Sequence, residues 1–163
     1  MLTRAEKVLT KGLQAGFAGK STVRTVSRGA FGTSSADVTL PQSSEHYSDQ
    51  WIVRRVGGGQ EIAGSGDETV TRVYAGGIIA PEKLRALGVN EPQVLAYLKK
   101  QLSALSGKTR LHEDVLPPAD GDWQYRYAIS HTYPDIPLSV GVETIAYKGV
   151  DVFVDVFLNA PVA

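Results

Sequence analysis

The chain has 163 residues, with 17 basic and 17 acidic side chains, no cysteine and 42% apolar residues. That length predicts one domain burying roughly 70% of the surface its unfolded form exposes, and the missing cysteines exclude disulfides, thiolate zinc sites and a cysteine nucleophile. Zero net charge with dispersed basic residues, Arg54-Arg55 being the tightest cluster, argues against nucleic acid or an anionic membrane as the main partner.

No apolar run approaches the ~18 residues of a membrane span, and Met1-Leu2-Thr3-Arg4 leads into an amphipathic stretch without a signal-peptide core. A cytoplasmic protein is therefore expected. Thr3-Arg4-Ala5-Glu6 reads as a capping box, and Ala5, Val8, Leu9 and Leu13 make a helical stripe that Gly16 stops. This predicts a helix over residues 4 to 15. Gly16-Phe17-Ala18-Gly19-Lys20-Ser21 ends like a phosphate-binding loop, but Gln14 stands where a glycine is needed and a helix precedes it instead of a strand. A cap leading into a strand at 21 to 26 is the better reading.

Residues 29 to 48 are rich in Ser, Gly and Thr, and predict an irregular crossing loop with one short strand near Val38, placed to cover a cleft. Trp51 to Val56 is a strand, Gly57-Gly58-Gly59 supplies a turn, and Thr69 to Tyr74 returns, with Val70, Arg72 and Tyr74 on one face. Pro81 opens a short helix ending at Gly88. Asn90-Glu91-Pro92-Gln93 starts a longer one at about 91 to 105, whose Val94, Leu95, Leu98, Leu102 and Leu105 form an apolar stripe. The run from Leu111 to Asp122 is a loop, and His112-Glu113-Asp114 cannot converge on one metal ion as three consecutive residues. No metal site is expected, and no cofactor is specified.

Trp123, Tyr125, Tyr127 and Ile129 alternate with Gln124, Arg126, Ala128 and Ser130 across a half-buried strand, and Tyr133-Pro134-Asp135 turns into a hairpin over residues 142 to 158. In its second strand Val150, Val152, Val154, Val156 and Leu158 share one face, read as core. Asp151, Phe153, Asp155 and Phe157 share the other, which reads as a lightly covered sheet face or as the wall of a pocket. Asp151 and Asp155 would lie ~13 Å apart at ~3.3 Å per residue, too far to act together on one bond. A two-residue loop at Lys148-Gly149 sets Glu143 opposite Val154. Burying a glutamate among valines is costly unless an arginine meets it, so a one-residue bulge at the glycine is expected to return Glu143 to the carboxylate face.

Gly66-Asp67-Glu68-Thr69-Val70 and Gly141-Val142-Glu143-Thr144-Ile145 repeat one phrase, which predicts two related β units presenting glutamates at equivalent places. The fold class that follows is α+β: a twisted, mainly antiparallel sheet with the 91 to 105 helix packed on it and the N-terminal helix alongside. The N-terminal helix running into Gly16-Phe17-Ala18-Gly19, the strand ending at Tyr74-Ala75-Gly76-Gly77, and Glu143-Thr144-Ile145-Ala146-Tyr147-Lys148-Gly149 before a closing strand together resemble an uncharacterised bacterial domain family. Its members stand alone or follow Xre-type helix-turn-helix modules in regulators. The resemblance spans residues 5 to 159 and carries no catalytic residues. This chain has no added DNA-binding segment, so transcriptional regulation does not transfer.

Three function classes follow. The first is binding or sensing of a small molecule, with Glu68, Glu143, Asp151, Phe153, Asp155, Trp123 and Arg126 as candidate ligand contacts. The second is a small acid-base enzyme using Glu68, Glu143, Asp151 and Asp155 with Tyr147 or His131. The third is an assembly protein whose mixed sheet face is covered by a partner chain or a second copy. On the first reading Glu143→Gln impairs binding while leaving stability nearly unchanged.

Overall fold

A computed structural model of the protein describes residues 1–19, 22–42 and 44–162. In chain order it contains α1 (Arg4–Ala15), β1 (Arg24–Arg28), β2 (Phe31–Thr39), β3 (Glu45–Val53), β4 (Val56–Ser65), β5 (Glu68–Ile78), α2 (Pro81–Leu87), α3 (Glu91–Ala104), β6 (Trp123–Thr132), β7 (Ser139–Tyr147) and β8 (Val150–Pro161). The eight strands form one antiparallel sheet in the order β1-β2-β3-β4-β5-β8-β7-β6. Two meanders, β1 to β5 and β6 to β8, are thus fused by pairing of their last strands, β5 with β8. No helix among the described residues is long and apolar enough to cross a membrane.

The helices start where local chemistry tells them to. Thr3 Oγ1 accepts from the Glu6 amide at 3.2 Å while Glu6 Oε2 accepts from the Thr3 amide at 2.8 Å, and Asn90 and Gln93 repeat the arrangement at α3. Leu13 of α1 and Val94, Leu98 and Leu102 of α3 join Tyr125, Tyr127, Ile145, Phe153 and Phe157 in the main core. Ala5, Val8 and Leu9 form a second cluster with Tyr47, Ala63, Val70 and Leu111. Gly12 lets α1 sit this low: a Cβ there would fall 2.1 Å from ring carbons of Tyr47.

Several expectations are corrected. The crossing loop at 29 to 48 is instead built of strand: β2 and the first part of β3 run through it, and along β3 Tyr47, Asp49 and Trp51 alternate inward. Ser and Thr are adequate strand residues when cross-strand partners satisfy the backbone, so composition alone misled. Gly57, Gly58 and Gly59 are not the turn, which falls at Arg54-Arg55; they lie inside β4. The strand proposed at 21 to 26 is β1, beginning at Arg24, and Lys20 and Ser21 lie outside the described residues.

The closing strand is covered on the opposite face from the one expected. Phe153 and Phe157 are buried, whereas Val154, Val156 and Leu158 are 36%, 40% and 41% exposed. Alternation reveals two faces but not which one a helix covers, and here the larger phenylalanines lie beneath α3. The bulge does occur, though at Val152 and not at the glycine. Tyr147 pairs with Val150 and Ala146 with Asp151, then Ile145 pairs with Phe153 and Glu143 with Asp155. The extra residue reverses the facing of what precedes it. Asp151 is therefore exposed on the sheet's open side and does not share a face with Asp155.

The repeated phrase does not mark equivalent positions. Glu68 is the first residue of β5, directly after the Gly66-Asp67 turn, while Glu143 is well inside β7.

Candidate functional site

Between the helices and the middle of the sheet is a cavity of about 250 Å³. Its walls are apolar: Leu13 and Phe17 at the end of α1, Leu95 and Leu98 on α3, Trp51 and Val53 on β3, Ile78 on β5 and Phe153 on β8. Its floor is ionisable, with Asp49, Glu61, Arg110 and Asp155 reaching it beside the Tyr74 hydroxyl. Arg54, Arg55 and Glu91 stand at the rim. Arg55 Nη1 donates to the Ile78 carbonyl at 2.6 Å, which ties the β3–β4 turn to the end of β5.

Two bidentate ion pairs underlie this floor. Arg72 donates from Nε to Glu61 Oε2 at 2.5 Å and from Nη2 to Oε1 at 2.8 Å, and Tyr47 donates to the same Oε1 at 2.7 Å. Arg110 donates from Nε to Glu143 Oε1 at 2.9 Å and from Nη2 to Oε2 at 2.6 Å, with the Tyr125 hydroxyl adding a bond to Oε1 at 2.6 Å. Arg72 Nη1 also donates to the Arg110 carbonyl at 3.0 Å, joining the pairs. Both guanidiniums lie over the Phe157 ring, their carbons 5.7 Å and 4.6 Å from its centroid. Arg110 reaches this place from a backbone at φ 62°, a left-handed conformation uncommon for a side-chain-bearing residue.

Asp49 and Asp155 have no such partners. Among the described residues the Asp49 side chain, in a residue 4% exposed, accepts only from the Tyr74 hydroxyl, at 2.9 Å. Burial first, and the neighbouring Glu61 charge second, push its carboxyl up to about 7. Burial likewise pushes Asp155 up to about 7, and Arg110 does not offset it. Among the described residues no hydrogen bond reaches the Asp155 side chain. Burial also presses on Glu61, but Arg72 outweighs it and holds that carboxyl below the usual range. The floor thus carries four carboxyls against two guanidiniums. It is neutral only while both aspartic acids hold their protons.

Glycine makes the room. A Cβ on Gly59 would fall 2.5 Å from the Tyr74 hydroxyl, and one on Gly76, which pairs with Asp155, would fall 2.2 Å from Asp155 Oδ1. The glycines of β4 and β5 let a tyrosine and an aspartate lie flat beneath the cavity.

Comparison of the chain with family models, curated proteins and solved structures gave no match. The site must be read from its own chemistry.

Of the candidates drawn from sequence, Phe153 and Asp155 line the cavity, and Glu143 lies beneath it, fully buried against Arg110. Glu68 is elsewhere: its Oε2 accepts from the Arg4 and Ala5 amides at 2.7 and 3.2 Å, which caps the start of α1, while its Oε1 meets Arg4 Nε at 2.9 Å. Trp123 stacks on Tyr97 at 5.0 Å and packs against Tyr147 at 4.6 Å, away from the cavity lining. Arg126 and Asp151 are exposed on the open side of the sheet. Asp49, Glu61, Arg72, Tyr74 and Arg110 escaped the sequence reading. The alternation Tyr47, Asp49, Trp51 carried a usable signal for Asp49, and Arg72 and Tyr74 already shared a face, but nothing local marks Arg110. Among the described residues no group of three His, Asp or Glu side chains is placed to hold a metal ion.

Proposed function

We propose that this domain binds, and thereby senses, a small and largely apolar molecule carrying a basic nitrogen. The observation that carries the reading is the apolar-walled cavity closed beneath by two carboxyls, Asp49 and Asp155, that meet no cationic partner of their own among the described residues. An ionised carboxylate out of water is costly unless a positive charge meets it. A protonated amine seated over Asp155 supplies that charge, while its apolar body takes the place of water against Phe17, Trp51, Leu98 and Phe153. An anionic ligand finds the floor guanidiniums already engaged, since Arg72 and Arg110 each spend two donors on a glutamate. The volume of about 250 Å³ favours a single ring or a short chain.

Calorimetric titration at pH 7 with phenethylamine, phenethyl alcohol and hydrocinnamate tests this. The amine is expected to bind with release of protons, because it draws Asp155 into its ionised form; the alcohol binds more weakly and the carboxylate least. Asp155→Asn should erase the order. Equal binding of all three compounds, or an amine preference that survives Asp155→Asn, would overturn the proposal.

A further inference from the structure

A second cavity, of about 360 Å³, opens on the far side of α1, bounded by the start of that helix, the loop carrying His112, and the ends of β7 and β8. Three side chains remote in sequence meet on its wall. Glu6 Oε1 lies 2.5 Å from His112 Nε2, and His112 Nδ1 lies 3.3 Å from Ser139 Oγ. Asn159, the cross-strand partner of Ser139, lines the same cavity at 6% exposure, with its amide sealed from solvent beside the Tyr127 hydroxyl.

We propose that Ser139, His112 and Glu6 form a nucleophile, base and orienting carboxylate for cleavage of small acyl esters. The geometry assigns the roles in turn. Glu6 is fixed before it meets the histidine, because its other oxygen closes the capping box on Thr3. Its carboxylate faces Nε2 and so favours the tautomer with the proton there, which leaves Nδ1 unprotonated toward the serine. The ring is presented the other way round from the usual serine triad, with Nδ1 as the base; either nitrogen serves when the opposite one is held by a carboxylate. The backbone beside the histidine is anchored, since Leu111 packs under α1 and its carbonyl accepts from the Tyr127 hydroxyl at 3.0 Å. Ser139 is 4% exposed and lines the cavity, while the His112 side chain is 50% exposed beside it.

The reaction balances with water as the only co-reactant. Ser139 Oγ bonds to the ester carbonyl carbon as its proton passes to His112 Nδ1, and the carbonyl oxygen takes the negative charge. Collapse breaks the bond to the alkoxy oxygen, which leaves with the proton from Nδ1. Water then repeats the sequence on the acyl-serine, giving a carboxylic acid and the free hydroxyl. This site shares no side chain with the amine cavity, so the two proposals fail independently.

The test is labelling of the full-length protein with a fluorophosphonate, followed by peptide mass spectrometry, together with the rate of p-nitrophenyl acetate hydrolysis. Label on Ser139 is expected, by formation of the Oγ–phosphorus bond with loss of fluoride. Ser139→Ala, which removes one hydroxyl whose only side-chain partner is His112, should abolish the label and lower the hydrolysis rate at least about tenfold. His112→Gln, at a half-exposed position, gives a second reading that does not depend on the serine variant folding, and should lower both signals. Absence of label, label on another residue, or hydrolysis unchanged in both variants would overturn the assignment.

Discussion

Glu143 decides whether the ionic layer under the cavity is structural. Replacing it with glutamine keeps the shape but removes the charge that Arg110 faces through two bonds of 2.9 and 2.6 Å. Arg110 is 6% exposed and Glu143 0%, so the guanidinium is largely withheld from water and would be left with a carboxamide offering one acceptor instead of two. The Tyr125 hydroxyl, which donates to the same carboxylate at 2.6 Å, loses strength as well. Breaking a buried pair from one side costs about 3 to 5 kcal/mol, because the cost is that of the stranded charge. For a chain of this size that is a fall in Tm of about 6 to 20 °C. The expectation from sequence, that Glu143→Gln leaves stability nearly intact, is therefore reversed by the location of the residue. Urea denaturation of the wild type and Glu143→Gln measures the loss. Glu143→Leu combined with Arg110→Met should recover much of it, because the double change removes both charges together. A loss below about 1 kcal/mol for Glu143→Gln, well under what a stranded buried charge costs, would refute the reasoning.

Two further outcomes follow from the same geometry. Because Asp49 and Asp155 are raised from 3.8 to about 7, the native state holds protons that the unfolded chain releases, so their contribution to stability is fully present below pH 4 and is lost as pH rises through 7. Asp155→Asn, which stays neutral, should match the wild type near pH 4 and exceed it at pH 8 by about 2 to 4 kcal/mol, read from denaturation midpoints; an Asn variant less stable at pH 8 would contradict this. Gly12→Ala gains about 1 kcal/mol of helix propensity but sets a methyl 2.1 Å from the Tyr47 ring. A net loss of about 1 to 3 kcal/mol is expected, and a stabilised variant would show that α1 does not sit on that ring.

How much of this was legible in the sequence depends on how local each signal is. Both capping boxes, the proline start of α2 and the strand from Trp123 could be read because each is written within a few adjacent residues. The β2–β3 pair was hidden because Ser, Thr and Gly make up more than half of β2, and its stability comes from cross-strand partners that composition does not display. Gly57 to Gly59 carry a turn's composition but serve a packing purpose, giving space to Tyr74 from a neighbouring strand. The bulge was foreseeable from the cost of burying Glu143 among valines. Its position three residues beyond the glycine, which moves Asp151 to the other face, was not. The arginine that meets Glu143 lies 33 residues upstream in a loop without periodicity, and nothing before folding links the two. Glu6, His112 and Ser139 have the same character: three distant segments that only the docking of α1 on the sheet brings together.

The claim at the centre of the account is that Asp155 waits under an apolar cavity for a positive charge. The most direct measurement is NMR titration of the aspartate side-chain carboxyl carbons, free and with saturating phenethylamine, assigned through Asp155→Asn. The account predicts a midpoint of about 7 for Asp155 in the free protein, falling by at least about one unit when the amine is bound. A free midpoint near the ordinary value of about 4, or a midpoint at which the amine has no effect, would contradict it.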